Sequence, residues 1–267
     1  MRYRLVDVFS ERPLAGNALC VVLDPCPPEV MGPLAREVNL SETTFPTVTE
    51  AAGPGMPGRY TNRIFTPTLE MPFAGHPSLG TAFTLGPGRW EQTTAGAVAQ
   101  LEVDAHGAVM TQPDPAFTEI PTDGLAEAAG LPGVEGAYVS AAGGIHFVLL
   151  PTTAPLEAIR PDPRAVAEHV AAHQGVGLCV VRRLDDRTLH VRMFAPGAGV
   201  AEDPGTGSAA GPLGVLARRL WGTEADVTVR QGAEVGRPCR IEVHAEEGHV
   251  RVGGAVASCA EGRFTLD

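Results

Sequence analysis

Apolar and polar residues alternate over residues 3–9 and a short apolar run covers 19–23, with turn residues at 13–17 between them, so the chain opens as two strands. Pro28 and Glu29 suit a first turn, and the spacing predicts a helix over 29–38, then a strand at 47–49. A strand over 60–65 leads to an apolar, small-residue helix over 77–85 that glycines at 86 and 88 terminate. A hairpin of 98–103 with 108–111 follows, and 112–115 is the expected linker. Beyond it the pattern gives strands near 138 and over 146–150, a helix over 164–173, and strands over 178–182 and 189–194. A loop rich in Gly, Pro and acidic residues comes next, then a second small-residue helix reaching residue 220, a strand over 227–230, and a hairpin of 239–245 with 249–253.

Several segments are written twice. Arg63-Ile64-Phe65-Thr66-Pro67 precedes Ala74-Gly75-His76-Pro77-Ser78, and Arg192-Met193-Phe194-Ala195-Pro196 precedes Glu202-Asp203-Pro204-Gly205-Thr206-Gly207-Ser208. The offset from His76 to Asp203, 203 − 76 = 127, also relates Gly16-Asn17 to Gly143-Gly144, each ahead of an apolar strand. Two matches at one offset imply a duplicated half. The expected domains are residues 1–112, completed by 258–267, and residues 113–257. Each half would be α+β, with about eight short strands, two helices, and a helix apolar enough to lie inside a curled, mostly antiparallel sheet.

Composition narrows the function classes. A net charge of −11 without any cationic face argues against nucleic acid or an anionic membrane as partner. No run approaches the roughly 20 apolar residues that span a bilayer, and residues 1–9 lack a leader pattern, so a soluble, cytoplasmic protein is expected. The 5 cysteines are odd in number and irregularly spaced, which suits free thiols better than disulfides or zinc.

The chemistry concentrates in the repeated turns. The loop from Glu202 to Ser208 sets two carboxylates and several backbone amides where a helix begins, and a helix N-terminus holds carboxylate or phosphate through free N–H groups and its dipole. Two such cradles related by a pseudo-twofold axis would grip a small acid between the halves, with its alpha carbon flanked from both sides. His76 and Asp203 have bland readings as helix caps, Ser208 as a hydroxyl bonded within its helix, and Glu42 as an exposed acid. His146 and His190 fall in strand patterns and read as structural. Gly205-Thr206-Gly207-Ser208 lacks the lysine and spacing of a nucleotide loop, and no serine sits in a nucleophile elbow.

Glu42 in SETTFP, the string RIFTPTLEMPFAGHPSLGTA over residues 63–82, EDPGTGSAAG over 202–211 and VDVF over 6–9 resemble the PhzF family of phenazine-biosynthesis-like isomerases in order along the whole chain. Ala18 stands where that family has a proline after Gly-Asn, with Asn17 kept. The resemblance implies the diaminopimelate epimerase fold in both halves, a homodimer, and a small carboxylic acid substrate, with neither cofactor nor metal. It assigns Glu42 as the acid/base, His76 and Asp203 as its polar partners, and Asn17, Ser41, Gly75, Gly205, Thr206, Gly207 and Ser208 to substrate binding. Related racemases place a cysteine in each cradle loop; here those loops carry His76 and Asp203, so a two-thiol mechanism is disfavoured. The expected activity is cofactor-independent movement of a proton between carbons of a small amino acid or carboxylic acid, in a setting such as secondary metabolism. Epimerisation at an amino-acid alpha carbon and non-catalytic binding of a small acid remain alternatives.

Overall fold

The computed structural model describes residues 1–142 and 145–266, so the Gly143-Gly144 end of the repeat lies outside the described residues. The chain divides into two compact units, Met1–Thr111 with Gly253–Asp267, and Gln112–Val252.

In the first unit β1 (Arg2–Val8) pairs antiparallel with β2 (Asn17–Val22). Helix α1 (Pro28–Val38) carries the chain back, so that β3 (Glu42–Glu50) runs parallel to β2. Strand β4 (Gly58–Phe65) returns antiparallel along β3 and takes the short β5 (Glu70–Met71) at its end. Helix α2 (Gly75–Leu85) makes the next crossover and places β6 (Gly88–Thr93) parallel to β4. Antiparallel β7 (Val98–Val103) and β8 (Gly107–Pro113) follow. The last strand of the chain, His249–Arg263, pairs with β8 and, through its later residues, with β1. The sheet therefore closes into a barrel.

Helix α2 lies inside that barrel against β1, β2, β3 and β7, with every residue from Gly75 to Ala82 buried. Its composition permits this. A Cβ on Gly80 would stand 2.7 Å from Leu19 and 2.8 Å from Val8, so only glycine lets the helix come so close to the strands. The buried hydroxyls of Ser78 and Thr84 donate to carbonyls one turn back, Ala74 and Gly80, at 2.7 Å each. Helix α1 packs differently, laying Met31, Leu34 and Ala35 on a cluster of Cys20, Val22, Phe45 and Phe65.

The second unit comprises β9 (Phe117–Glu119), α3 (Leu125–Ala128), β10 (Tyr138–Ala142), β11 (Ile145–Pro151), α4 (Pro163–Ala172), β12 (Gly177–Arg183) and β13 (Thr188–Ala195), followed by β14 (Val200–Asp203), α5 (Gly207–Trp221), β15 (Asp226–Gln231) and β16 (Cys239–Glu246), and it shares β17 (His249–Arg263). Helix α4 connects the parallel pair β11 and β12, and α5 connects the parallel pair β13 and β15; the other pairings among these strands are antiparallel. These two crossovers reproduce those of α1 and α2. Helix α5 packs on β10, β11, β12, β15 and β16, and Gly214 is its counterpart to Gly80, its absent Cβ pointing 2.7 Å from Val243. The α+β class, with a mostly antiparallel sheet curled about a central helix, is therefore the observed one.

Three local expectations are corrected. The strand expected at 47–49 begins at Glu42 and runs through Pro46, which lies beyond the last residue paired with β2, on a stretch with an open side where a missing N–H is tolerated. The supposed linker at 112–115 starts inside β8, with Gln112 buried and its side-chain amide 3.4 Å from the Gly207 carbonyl. The acidic loop contains β14, which returns antiparallel along β13 and pairs Asp203 with Met193.

Candidate active site

In the first unit the parallel pairing of β2 with β3 sets Glu42 opposite Leu19, at the strand end beside the start of α2. The preceding turn needs Gly16, whose φ is +70° and whose added Cβ would meet the Val8 carbonyl at 2.5 Å. This turn buries Asn17 to 1% exposure and brings its side-chain nitrogen 3.1 Å from His76 Nδ1. Nε2 stands 3.6 Å from Glu42 Oε2. Burial pushes the His76 pKa down to about 3, opposed in part by a hydrogen bond with the Ala18 backbone, so this histidine is neutral. A neutral imidazole beside a mostly buried carboxylate adds no positive charge to hold that acid ionised. Asn17, Glu42 and His76 thus come together, with Gly75 at the first position of α2. Ser41 precedes Glu42 in the chain and is only partly buried.

His76 does not cap its helix, because Ala74 is the N-cap and carries no side-chain acceptor. The first-turn amides of Gly75 and His76 therefore lack helical partners. Beneath them Gln92 donates to Ser78 Oγ at 2.6 Å and accepts from Tyr60 and Asn62 at 3.0 and 2.9 Å. This buried polar network was missed in the sequence, where these residues register only as polar interruptions of strands.

In the second unit Asp203 ends β14, and the helix begins with Thr206 as N-cap and Gly207 as first residue. The cap reading of Asp203 is therefore replaced by a different one: its Oδ2 accepts from the Thr206 hydroxyl at 2.5 Å. The helix starts are 207 − 75 = 132 residues apart, so the duplication at offset 127 absorbs a shift in the cradle itself. Gly205, Thr206, Gly207 and Ser208 are all buried at this turn. The first-turn amides of Gly207 and Ser208, like those of α2, have no acceptor within the helix.

The second carboxylate of this loop belongs elsewhere. Glu202 forms a bidentate pair with Arg192 at 2.7 and 2.8 Å, and the guanidinium also donates to the Leu156 and Ile159 carbonyls and lies over Phe194. Arg63 repeats the arrangement with Glu70, at 2.7 Å for both bonds, and over Phe65. The written repeat Arg-x-Phe is therefore a repeated structural clamp. His190 is held by Glu234 at 2.8 Å.

No cysteine stands beside His76 or Asp203 in sequence. Cys20 and Cys179 are buried within β2 and β12, and burial pushes the Cys20 thiol up to about 12. The Cys179 thiol is driven higher still, by burial and then by the negative charge of Asp203. Neither can serve as a thiolate base near neutrality.

Each unit thus curls a sheet about a buried small-residue helix and sets a carboxylate near the start of that helix, Glu42 in the first and Asp203 in the second. The family model described as phenazine biosynthesis-like protein matches residues 6–262, and the chain belongs to that family, the PhzF family. It is 39% identical to a trans-2,3-dihydro-3-hydroxyanthranilate isomerase of Pseudomonas aeruginosa, covering 99% of each chain. A like-named protein of Pseudomonas fluorescens is 36% identical over 91% of this chain and 90% of its own. The fold is similar to that of a PhzF-family phenazine biosynthesis protein of Bacillus anthracis, with a TM-score of 0.84 at 22% identity over 100% and 99% of the chains. The enzyme class of the chain is isomerase. Among the described residues no helix is long and apolar enough to cross a membrane.

Proposed function

We propose that the chain is a cofactor-independent isomerase that moves a proton between carbons of a small amino carboxylic acid, and that trans-2,3-dihydro-3-hydroxyanthranilate is its substrate. The observation that carries this reading is the Glu42 carboxylate beside a buried, neutral His76 that Asn17 contacts. Glu42 takes a proton from one ring carbon as the double bond shifts, and returns it to another, so one C–H bond breaks and one forms with no oxidant or reductant. His76 lies beside the carboxylate and helps to position it. Asp203 is the second polar group assigned to the substrate. The helix-start amides at Gly75, Gly207 and Ser208, together with Ser41, Gly205 and Thr206, are assigned to its carboxylate and to the negative charge that develops when the proton leaves.

Proton NMR of the substrate in D2O tests this. Wild type should shift the double bond and place deuterium at a ring carbon, and Glu42→Gln should do neither. Undiminished exchange in Glu42→Gln would remove Glu42 from the mechanism. Deuterium at an amino-acid alpha carbon with inversion would replace isomerisation by epimerisation, and binding with no exchange would leave a binding protein.

A further inference from the structure

The loop that carries Asp203 is gripped by a residue outside both cradle motifs. Gln231, at the end of β15 and 3% exposed, donates from Nε2 to the Asp203 backbone carbonyl at 2.8 Å and to Thr206 Oγ1 at 2.9 Å. Its Oε1 accepts from the Thr206 backbone N–H at 3.2 Å. These contacts fix the orientation of the amide, since a flip would set its NH2 against an N–H and its oxygen against a carbonyl. The following Gly232 has φ +82°, and an added Cβ would lie 2.4 Å from the Pro204 and Arg237 carbonyls. The turn after β15 therefore holds residues 203–206 by side chain and by bare backbone at once.

A hydroxyl has a single hydrogen. The Gln231 N–H occupies one acceptor lobe of Thr206 Oγ1, so the Thr206 hydrogen is directed to Asp203 Oδ2 at 2.5 Å. The hydrogen bond at Oδ2 thereby fixes the orientation of the Asp203 carboxylate. We infer that Gln231 is a positioning residue that acts through Thr206 to set the orientation in which the Asp203 carboxylate meets the substrate. The inference rests on the assignment of Asp203 to the substrate. The first unit uses the same device: Gln92, on the strand after its central helix, donates to Ser78 Oγ, whose hydrogen goes to the Ala74 carbonyl just ahead of Gly75 and His76.

The test is a double-mutant cycle on isomerisation of trans-2,3-dihydro-3-hydroxyanthranilate, with Gln231→Met, Thr206→Val and the pair combined. Gln231→Met keeps the length of the side chain and removes both donors. It should lower kcat by about 10-fold or more while KM moves less than about 2-fold. In a serial chain the double variant should be no slower than Thr206→Val alone. Thr206→Ser, which keeps the hydroxyl, should recover most of the kcat that Thr206→Val loses. If Gln231→Met does not fold, Gln231→Glu takes its place, because its carboxylate accepts from the Thr206 N–H but cannot donate to Oγ1. Losses that multiply in the double variant, or an unchanged kcat in a folded Gln231 variant, overturn the inference while the functional reading stands. A wild type that neither isomerises nor exchanges protons overturns the functional reading, and this inference with it.

Discussion

At the scale of single residues, the neutral His76 has consequences for both activity and stability. Replacing Glu42 by Gln removes the base and should lower turnover by roughly 100- to 10,000-fold with Tm little changed, as steady-state rates and a melt will show. Because the folded-state pKa of His76 is depressed to about 3, the unfolded chain binds a proton that the folded chain refuses, once the pH falls below the usual histidine range. Its stabilising contribution is complete above about pH 6.5 and declines toward pH 3, by about 2 kcal/mol at pH 5. Urea unfolding at pH 7.5 and pH 5 should therefore show a larger loss in wild type than in His76→Gln. The thiols give a separate expectation. Cys20, Cys179 and Cys239 are buried, and Cys26 and Cys259 are partly exposed, so a colorimetric thiol reagent should react quickly with no more than the latter two until denaturant is added.

At the scale of elements, the two Arg-Glu clamps have one geometry and unequal burial. Arg192 and Glu202 are 7% and 11% exposed, against 39% and 37% for Arg63 and Glu70. Removing one partner of the buried pair strands a charge, so Arg192→Met should cost about 3–5 kcal/mol. The exposed pair is screened by water, and Arg63→Met should cost less than about 1 kcal/mol, both measured by urea denaturation. Helix α2 should tolerate no branch at Gly80: valine there must displace Leu19 and Val8, and should lower stability by about 1–3 kcal/mol. These elements also mark what the sequence could convey. The Arg-x-Phe repeat was plain, but the glutamates that complete it lie 7 and 10 residues on, across a return of the chain, where no periodicity points to them. Strand β14 has 4 residues between Gly199 and Pro204, too few for alternation to register. Gln231 closes a legible strand, yet its role depends on a loop 25 residues earlier that only tertiary structure brings near.

At the scale of the molecule, the α+β class, the central small-residue helices and the family were legible because they rest on helical and strand periodicity and on contiguous motifs. The closure of the first barrel was not, since it is made by β17 from the far end of the chain and no local signal fixes a strand's distant partner. That strand pairs with β1 from Val256 to Arg263. Truncation after Gly254 should open the barrel and abolish the cooperative melting of the first unit, read by loss of near-UV signal from Trp90 and Tyr60, which are buried edge to face at 5.8 Å.

The same seam imposes a schedule on the newborn chain. The ribosome makes residues 1–111 first, then the whole of 112–252, and only then the strand that shuts the first barrel. At roughly 5–20 residues per second, the intervening segment keeps the earlier strands waiting for on the order of ten seconds with β1 open along one edge. Unpaired edges invite association. Synonymous codons that slow translation between residues 112 and 252 should therefore raise the share of newly made protein captured by chaperones, while the amino-acid sequence stays the same.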